Sequence, residues 1–143
     1  MKEILIVGPG GLGGTVAAML ASSGSCRVQI MGRPGVHVDA IRKRDIHVDG
    51  LRELSVPLEI ADEADAVAEC DVIIYATKAQ HTSSALARTA GIKVREFVTS
   101  IQNGVIKDDE LAKTFGREKV VGAVAMIAAA RTEPGSINFT YDG

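Results

Sequence analysis

Short apolar runs alternate with amphipathic stretches along this chain, a pattern typical of strands and helices that follow one another in an α/β fold. The apolar runs are rich in Ile, Val and Leu, as expected of strands that are buried on both faces of a parallel sheet. They predict strands at residues 4–7, 27–31, 71–76 and 97–101. The stretches between them have helical spacing and predict helices at residues 12–21, 36–44, 62–69, 82–90 and 107–115.

Two parts of the chain depart from this alternation. Residues 45–56 have apolar side chains at every second position around a central Asp-Gly pair, which predicts an inserted β-hairpin. Residues 119–127 and 136–141 predict two further strands separated by a Glu-Pro-Gly turn, although the alanine-rich part fits a helix equally well. Together these elements predict a single α/β domain over residues 1–143, a Rossmann-type doubly wound and mostly parallel sheet with a β-hairpin insertion.

The composition of the chain excludes some classes of function. The 143 residues are 46% hydrophobic, enough for one substantial core, and the formal net charge is −2. This balance provides no overall field that attracts nucleic acid or an anionic membrane, so an anion site must be built locally. No segment has the length of a membrane span or the pattern of a signal peptide. Cys26 and Cys70 lack the spacing of a metal site or a disulfide framework, so we expect reduced thiols in a cytoplasmic protein.

A glycine-rich turn follows the first predicted strand. Gly8, Gly10 and Gly13 form a G-x-G-x-x-G motif between that strand and a helix start. In dinucleotide-binding turns the first glycine permits the tight bend, the second lets the backbone approach the pyrophosphate, and the third lets helix and strand pack closely. The N-terminus of the helix then faces the anion. A strand-to-helix turn without a ligand is the alternative, but the position of the motif favours dinucleotide binding.

The end of the second predicted strand indicates which dinucleotide binds. NAD-binding domains commonly place Asp or Glu there to bind the ribose 2′-hydroxyl. This chain has Arg33 instead, 20 residues after Gly13. Because a guanidinium can form a bidentate pair with the 2′-phosphate of NADP, we expect NADP rather than NAD. The alternative is that Arg33 is a solvated loop cation.

Four patches of the sequence resemble the N-terminal domain of the ketopantoate reductase family, the NADPH-dependent 2-dehydropantoate 2-reductases. In chain order they are Gly8-Pro9-Gly10-Gly11-Leu12-Gly13-Gly14, Gly32-Arg33, Ala76-Thr77-Lys78-Ala79-Gln80 and Gln102-Asn103-Gly104. Residues 133–137 also resemble the turn before a strand near the end of that domain. The resemblance covers essentially the whole chain. It implies hydride transfer from NADPH to a small 2-keto acid such as 2-dehydropantoate, an oxidoreductase reaction of pantothenate biosynthesis.

The resemblance also implies roles for particular residues. Lys78 and Asn103 follow the carboxyl ends of predicted parallel strands, the edge where doubly wound sheets bind ligands. Lys78 is expected to contact the cofactor, and Asn103 to position nicotinamide and substrate through an amide that does not titrate. Without the family pattern, a surface lysine and an ordinary Asn-Gly turn are equally good interpretations. The implied cofactor-binding set is Gly8, Pro9, Gly10, Gly11, Leu12, Gly13, Arg33, Lys78, Asn103 and Ala128.

Other titratable side chains belong to no motif. We expect solvated structural roles for His37 and His47, whereas His81 follows Lys78 by three residues and can approach the cleft. The carboxylates within residues 62–65 and 108–110 fall at predicted helix starts, where negative charge favours the helix dipole.

Part of the family's chemistry is expected to lie outside this chain. Reduction of a ketone needs hydride from the nicotinamide and a proton donor or cation at the developing alkoxide. In this family the second group is a lysine of a C-terminal helical domain, and residue 143 precedes that domain. We therefore expect NADPH binding without full activity. Six remaining lysines do not match the catalytic position, and most are expected to be solvated: Lys2, Lys43, Lys93, Lys107, Lys113 and Lys119.

Two other functions remain open. A stand-alone nucleotide-sensing or regulatory module keeps the fold without chemistry, although such modules more often have an acidic residue where this chain has Arg33. Glycerol-3-phosphate and opine dehydrogenases share the glycine turn, but Lys78 together with Asn103 favours the ketopantoate reductases. The expected partners are NADPH and a small 2-keto acid. Apolar surface near the end of the chain is expected to be covered by a C-terminal domain or a second copy.

Overall fold

The larger of two sheets has six strands, and every neighbouring pair in it is parallel. A computed structural model describes residues 1–62, 66–102 and 106–143. The strands of this sheet are β1 (Lys2–Val7), β2 (Cys26–Met31), β5 (Glu59–Ile60), β6 (Glu69–Tyr75), β7 (Lys93–Ser100) and β8 (Val120–Gly122). Their order across the sheet is β5-β2-β1-β6-β7-β8, so the order in which strands are added to the sheet reverses between β1 and β6. Ligands bind at such a switch point in open α/β sheets.

Helices cover both faces of this sheet, which explains the continuous apolar runs of its strands. They are α1 (Gly11–Ser22), α2 (Val36–Lys43), α3 (Thr82–Thr89) and α4 (Ile106–Phe115). On β1, Leu5 belongs to a core cluster with Leu86 of α3 and Leu111 of α4. The next residue, Ile6, belongs to a second cluster with Ala17 of α1. Successive side chains of the strand thus enter opposite cores. None of the helices within the described residues is long and apolar enough to cross a membrane.

A second, four-stranded sheet forms from two distant parts of the chain. Its strands are β3 (Ile46–Gly50), β4 (Leu54–Val56), β9 (Ile127–Glu133) and β10 (Ser136–Asp142), in the order β4-β3-β10-β9. The predicted hairpin is confirmed, because β3 and β4 pair antiparallel with Ile46 opposite Val56. β3 also pairs in parallel with β10, so the insertion is half of a mixed sheet. The predicted Rossmann-type class is confirmed with this addition.

Helix α1 lies between the two sheets. Its Ala17 and Ala18 are fully buried. A Cβ atom at Gly14 would lie 2.3 Å from Cδ1 of Ile137 and 3.0 Å from Cδ1 of Ile46, both in the second sheet. Small residues on several sides of α1 therefore let both sheets approach it.

Two of the predicted elements are wrong in part. The helix predicted over residues 62–69 is absent from residues 67 and 68, and Glu69 already pairs with Lys93 in β6. Residues 63–65 lie outside the described part of the chain. The strand predicted over residues 119–127 is interrupted after β8, and the alanine-rich part belongs to β9. The hydrophobic periodicity of a segment carries no information on which strand it pairs with, and strand pairing determines the structure of both regions.

Candidate functional site

The glycine turn connects β1 to α1 at the switch point of the sheet. Gly8 has a φ of +98°, a conformation that L side chains rarely adopt. A Cβ atom there would lie 2.8 Å from the backbone nitrogen of Thr77. At Gly11, it would lie 2.3 Å from the carbonyl oxygen of Ala129. The turn is therefore packed against β6's carboxyl end on one side and against β9 on the other.

The N-terminus of α1 is suited to an anion. Gly10 precedes the helix, no side chain caps it, and its first turn has no acidic residue. A Cβ atom at Gly10 would meet no heavy atom within 4 Å, so the backbone there faces open space. Unpaired backbone N–H groups and the helix dipole together favour a phosphate at this position.

The open space in front of the turn is a cavity of about 1040 Å³. Its wall includes the turn, the loop after β2, the start of the β6–α3 connection and part of β9. Among the described lining residues, the cationic side chains are Arg33, Lys78, Arg88 and Arg131, and none is Asp or Glu. The cavity therefore has a locally positive lining in a chain whose formal net charge is −2.

Arg88 connects α3 to the loop that carries Arg33. Its Nη1 donates to the carbonyl oxygen of Gly32 at 3.2 Å, and its Nη2 donates to that of Asp62 at 3.0 Å. The residue before Arg33 is thereby tied to a neighbouring helix. Gly32 itself is required by packing, since a Cβ atom there would lie 2.8 Å from Cδ of Pro9.

A buried polar network continues from the cavity towards the end of β7. Gln102, which is buried, donates from Nε2 to Oγ1 of Thr77 at 2.5 Å and to Oγ1 of Thr82 at 3.1 Å. These bonds join the end of β7 to a cavity-lining residue and to the start of α3. The patch Gln102-Asn103-Gly104 thus begins with a side chain that stabilises the cleft.

Lys107 is hydrogen-bonded to backbone carbonyl oxygens, which corrects the expectation that its side chain is solvated. Its ammonium donates to the carbonyl oxygens of Ser100 at 2.7 Å, Gln102 at 2.6 Å and Ala123 at 2.9 Å. All three ammonium protons therefore have acceptors. These hydrogen bonds connect the start of α4 to the end of β7 and to the segment after β8.

His37 also differs from its expected solvated role. It is 6% exposed, and its Nε2 lies 2.5 Å from the carbonyl oxygen of Pro9. The backbone nitrogen of Gly135 donates to its Nδ1 at 2.9 Å. Burial lowers the pKa of His37, the hydrogen bond with Pro9 opposes this shift, and nearby Arg131 adds to it. His37 is therefore buried between two backbone partners rather than solvated.

The fold of this chain is shared by proteins of a known family. A sequence model described as "Ketopantoate reductase PanE/ApbA" matches residues 4–143. The chain belongs to the ketopantoate reductase PanE/ApbA family. The 2-dehydropantoate 2-reductase of Pyrococcus abyssi is 31% identical over 141 residues, which cover 99% of this chain and 45% of that protein.

Further relatives give the same result for this ketopantoate reductase-family chain. The 2-dehydropantoate 2-reductase of Halobacterium salinarum is 30% identical over an alignment of 145 residues, gaps included, which covers 99% of the chain and 47% of the relative. The crystal structure of a PanE/ApbA family ketopantoate reductase from Ralstonia eutropha superposes with a TM-score of 0.85 at 26% identity, covering 96% of this chain and 46% of that one. The chain thus spans about half the length of the curated relatives it matches.

The structure brings together most of the residues predicted for this family's cofactor site. Gly8, Pro9, Gly10, Gly11, Arg33 and Lys78 line the cavity. Leu12, Gly13 and Ala128 are not among its lining residues, whereas Ala129 and Ala130 are. Gly13 instead lies beneath the turn, where a Cβ atom would be 2.0 Å from the carbonyl oxygen of Gly8. Asn103 lies outside the described residues.

Sequence reasoning missed two cationic residues of the cavity. Arg88 is in the last turn of α3, and Arg131 is in β9. Neither belongs to a motif, and both reach the cavity only through tertiary packing. Two histidines line the cavity: His81, as its position after Lys78 allowed, and His37, for which no such position was expected.

Proposed function

We propose that this chain binds NADPH in the positively lined cavity and forms the cofactor-binding domain of an oxidoreductase that reduces a small 2-keto acid such as 2-dehydropantoate. One observation carries the proposal: a glycine turn and four cationic side chains share a cavity whose described lining residues include no carboxylate. NADPH has a pyrophosphate and a 2′-phosphate, and both need such an environment. The substrate class follows from the curated relatives named 2-dehydropantoate 2-reductase.

The residues present fit a dinucleotide. The open face of Gly10 and the free N-terminus of α1 suit the pyrophosphate, since a backbone without Cβ permits close approach. Arg33 lies after β2, on the expected adenosine side, and suits the 2′-phosphate. Lys78 supplies charge from the β6 side of the switch point. A volume of about 1040 Å³ is at the upper end of the usual range for small-molecule sites, as an extended cofactor requires.

The division of chemistry within the family supports a binding role for this chain. When bound, the nicotinamide supplies the hydride, and a separate group must neutralise the developing alkoxide. Lys107 is unsuited to that task because its three protons are donated to backbone carbonyls. We assign positioning of nicotinamide and substrate to Asn103. We assign the missing cation to the half of the relatives' length that this chain does not span.

Titration of the purified chain with NADPH and NADH tests the cofactor assignment. We expect NADPH to bind at least about tenfold more tightly, because a charge-assisted bidentate pair forms only with the 2′-phosphate. Arg33→Ala should remove this preference and leave NADH affinity unchanged. Arg117→Ala is the matched control, since Arg117 has an exposed side chain and is not among the cavity-lining residues. Equal wild-type affinities, or an unchanged preference in Arg33→Ala, would contradict the assignment.

A turnover assay tests the proposed division of labour. With 2-dehydropantoate present, we expect NADPH oxidation by this chain alone to be far below about 1 s⁻¹, the lower end of typical enzyme rates. Oxidation at an ordinary enzymatic rate would show that residues 1–143 contain the complete catalytic machinery.

A further inference from the structure

A phosphate-binding turn must direct its carbonyl oxygens away from the anion and its N–H groups towards it. In this turn two carbonyls are held from within the strand-to-helix unit. The Gly8 carbonyl oxygen lies against Gly13, and the Gly10 carbonyl oxygen accepts from the Gly14 nitrogen at 2.7 Å. The third carbonyl, that of Pro9, contacts the imidazole of His37, which belongs to α2.

The protonation state of His37 follows from its two neighbours. The Gly135 N–H donates to Nδ1, so Nδ1 must be the unprotonated nitrogen. Nε2 then carries the proton and donates it to the Pro9 carbonyl oxygen. The positive charge of Arg131, in β9, also acts on the ring, beside its two backbone hydrogen-bond partners. A neutral ring with its proton on Nε2 satisfies all of these contacts.

The position of the Gly135 backbone, which the fold determines, selects this tautomer of His37. Gly135 has a φ of +81° in the turn between β9 and β10, and a Cβ atom there would lie 3.2 Å from Cβ of Ala40 in α2. The turn of the second sheet is therefore pressed against the helix that carries His37. Its N–H group is aimed at the ring by that packing.

We propose that His37 is a positioning residue for the dinucleotide pyrophosphate. By donating from Nε2, it holds the Pro9 carbonyl oxygen away from the anion, while the Gly135 N–H sets the tautomer that makes this donation possible. His37 acts through Pro9 and touches no reacting atom. The inference rests on the proposed binding of a nicotinamide dinucleotide, and it assigns to the second sheet a part in shaping the phosphate turn.

Two substitutions of His37 test the two hydrogen bonds of its imidazole one at a time. In His37→Gln the amide nitrogen can take the place of Nε2, so the Pro9 bond is kept and the acceptor for Gly135 is lost. In His37→Asn the shorter amide can accept from Gly135 but cannot reach Pro9. We expect His37→Asn to weaken NADPH and NADH binding equally, by about tenfold, the usual effect of losing one buried hydrogen bond. His37→Gln should stay within about threefold of the wild type.

Thermal unfolding of both variants provides the stability control. A purely structural role predicts that nucleotide affinity follows stability, so variants of equal stability would bind equally, and that outcome would overturn the proposal. A loss confined to NADPH would overturn it too, because the pyrophosphate is common to both nucleotides. If the wild-type chain binds neither nucleotide, the proposed function itself fails.

Nitrogen NMR of the wild-type chain tests the role of His37 without requiring that a variant fold. Nitrogen NMR of histidine-labelled wild-type protein at about neutral pH should show His37 with a protonated Nε2 and an unprotonated Nδ1. An imidazolium, or the opposite tautomer, would overturn the proposal.

Discussion

Gly13 packs against Gly8 so closely that a Cβ atom at Gly13 would lie 2.0 Å from the Gly8 carbonyl oxygen. Gly10, in the same motif, is in the opposite situation. A Cβ atom there meets no heavy atom within 4 Å, and its φ of −74° is one that any residue adopts. Gly13 is thus required by the fold, whereas Gly10 leaves space at the cavity.

We predict that alanine at these two positions has separable effects. Gly13→Ala should destabilise the chain by about 3 kcal/mol or more, because backbone rather than a flexible side chain must move. Gly10→Ala should cost less than about 1 kcal/mol, mainly through a poorer helix N-cap, yet weaken NADPH binding because its methyl group enters the cavity. Urea unfolding and NADPH titration of both variants measure the two effects.

Two results would contradict these expected effects of alanine at Gly10 and Gly13. If Gly10→Ala binds NADPH as tightly as the wild type does, the pyrophosphate does not approach the backbone at that position. A Gly13→Ala variant of wild-type stability would mean that the contact with Gly8 is easily relieved.

We predict that Lys107 contributes to stability through hydrogen bonds to backbone. Lys107→Met keeps much of the side-chain length but leaves the carbonyls of Ser100, Gln102 and Ala123 without their common donor. We expect a loss of about 2 kcal/mol in the free energy of unfolding, since partly buried acceptors lose their partner. Lys113→Met, at an exposed position of the same helix, is the control and should change it by less than about 0.5 kcal/mol. Equal effects of the two substitutions in urea unfolding would refute this role.

We predict an acid-sensitive contribution from Asp71. Its carboxylate accepts from Nε of Arg95 at 2.7 Å and from the Glu3 nitrogen at 2.8 Å. The hydrogen bond with Arg95, followed by that with Glu3, lowers the pKa of Asp71 from 3.8 to about 2. Because the pKa is lower in the folded state, the stabilisation is complete above about pH 4 and is lost as the pH falls towards 2.

Urea unfolding of the wild type and of Asp71→Asn checks this expectation. The difference between their midpoints should be largest at about pH 7 and should shrink between about pH 4 and 2. Asp109→Asn is the matched control, because Asp109 pairs with Arg117 through exposed side chains. A wild-type advantage over Asp71→Asn that persists unchanged at about pH 2 would contradict the assignment to the ionised carboxylate.

The local elements of this fold were predictable from the sequence for a physical reason. Strands such as β1 are apolar on both faces because both are buried, and that requirement is written into consecutive residues. The glycine turn was predictable because Gly8 and Gly13 meet backbone requirements that few other residues can meet, and Gly10 stands at the motif position that leaves space for a ligand. By contrast, the helix expected at residues 62–69 was wrong at its end, because pairing of Glu69 with Lys93 takes that end into β6.

The candidate site was predictable where it lies at strand ends. Gly8, Arg33 and Lys78 each follow a parallel strand, and parallel strands bring their carboxyl ends to one edge. Arg88 and Arg131 were missed because a helix and a strand of the second sheet bring them to the cavity from unrelated parts of the sequence.

Neighbouring residues and short spacings were enough to predict the glycine turn, the buried strands, the family resemblance and an arginine where NAD-binding domains commonly have an acid. Three features became visible only in the folded chain: the inserted hairpin joins β10 in a second sheet, Lys107 donates to three carbonyls, and His37 is buried between Pro9 and Gly135. These features depend on contacts between residues far apart in the chain. Their free energy comes from packing and hydrogen bonds that no local pattern records.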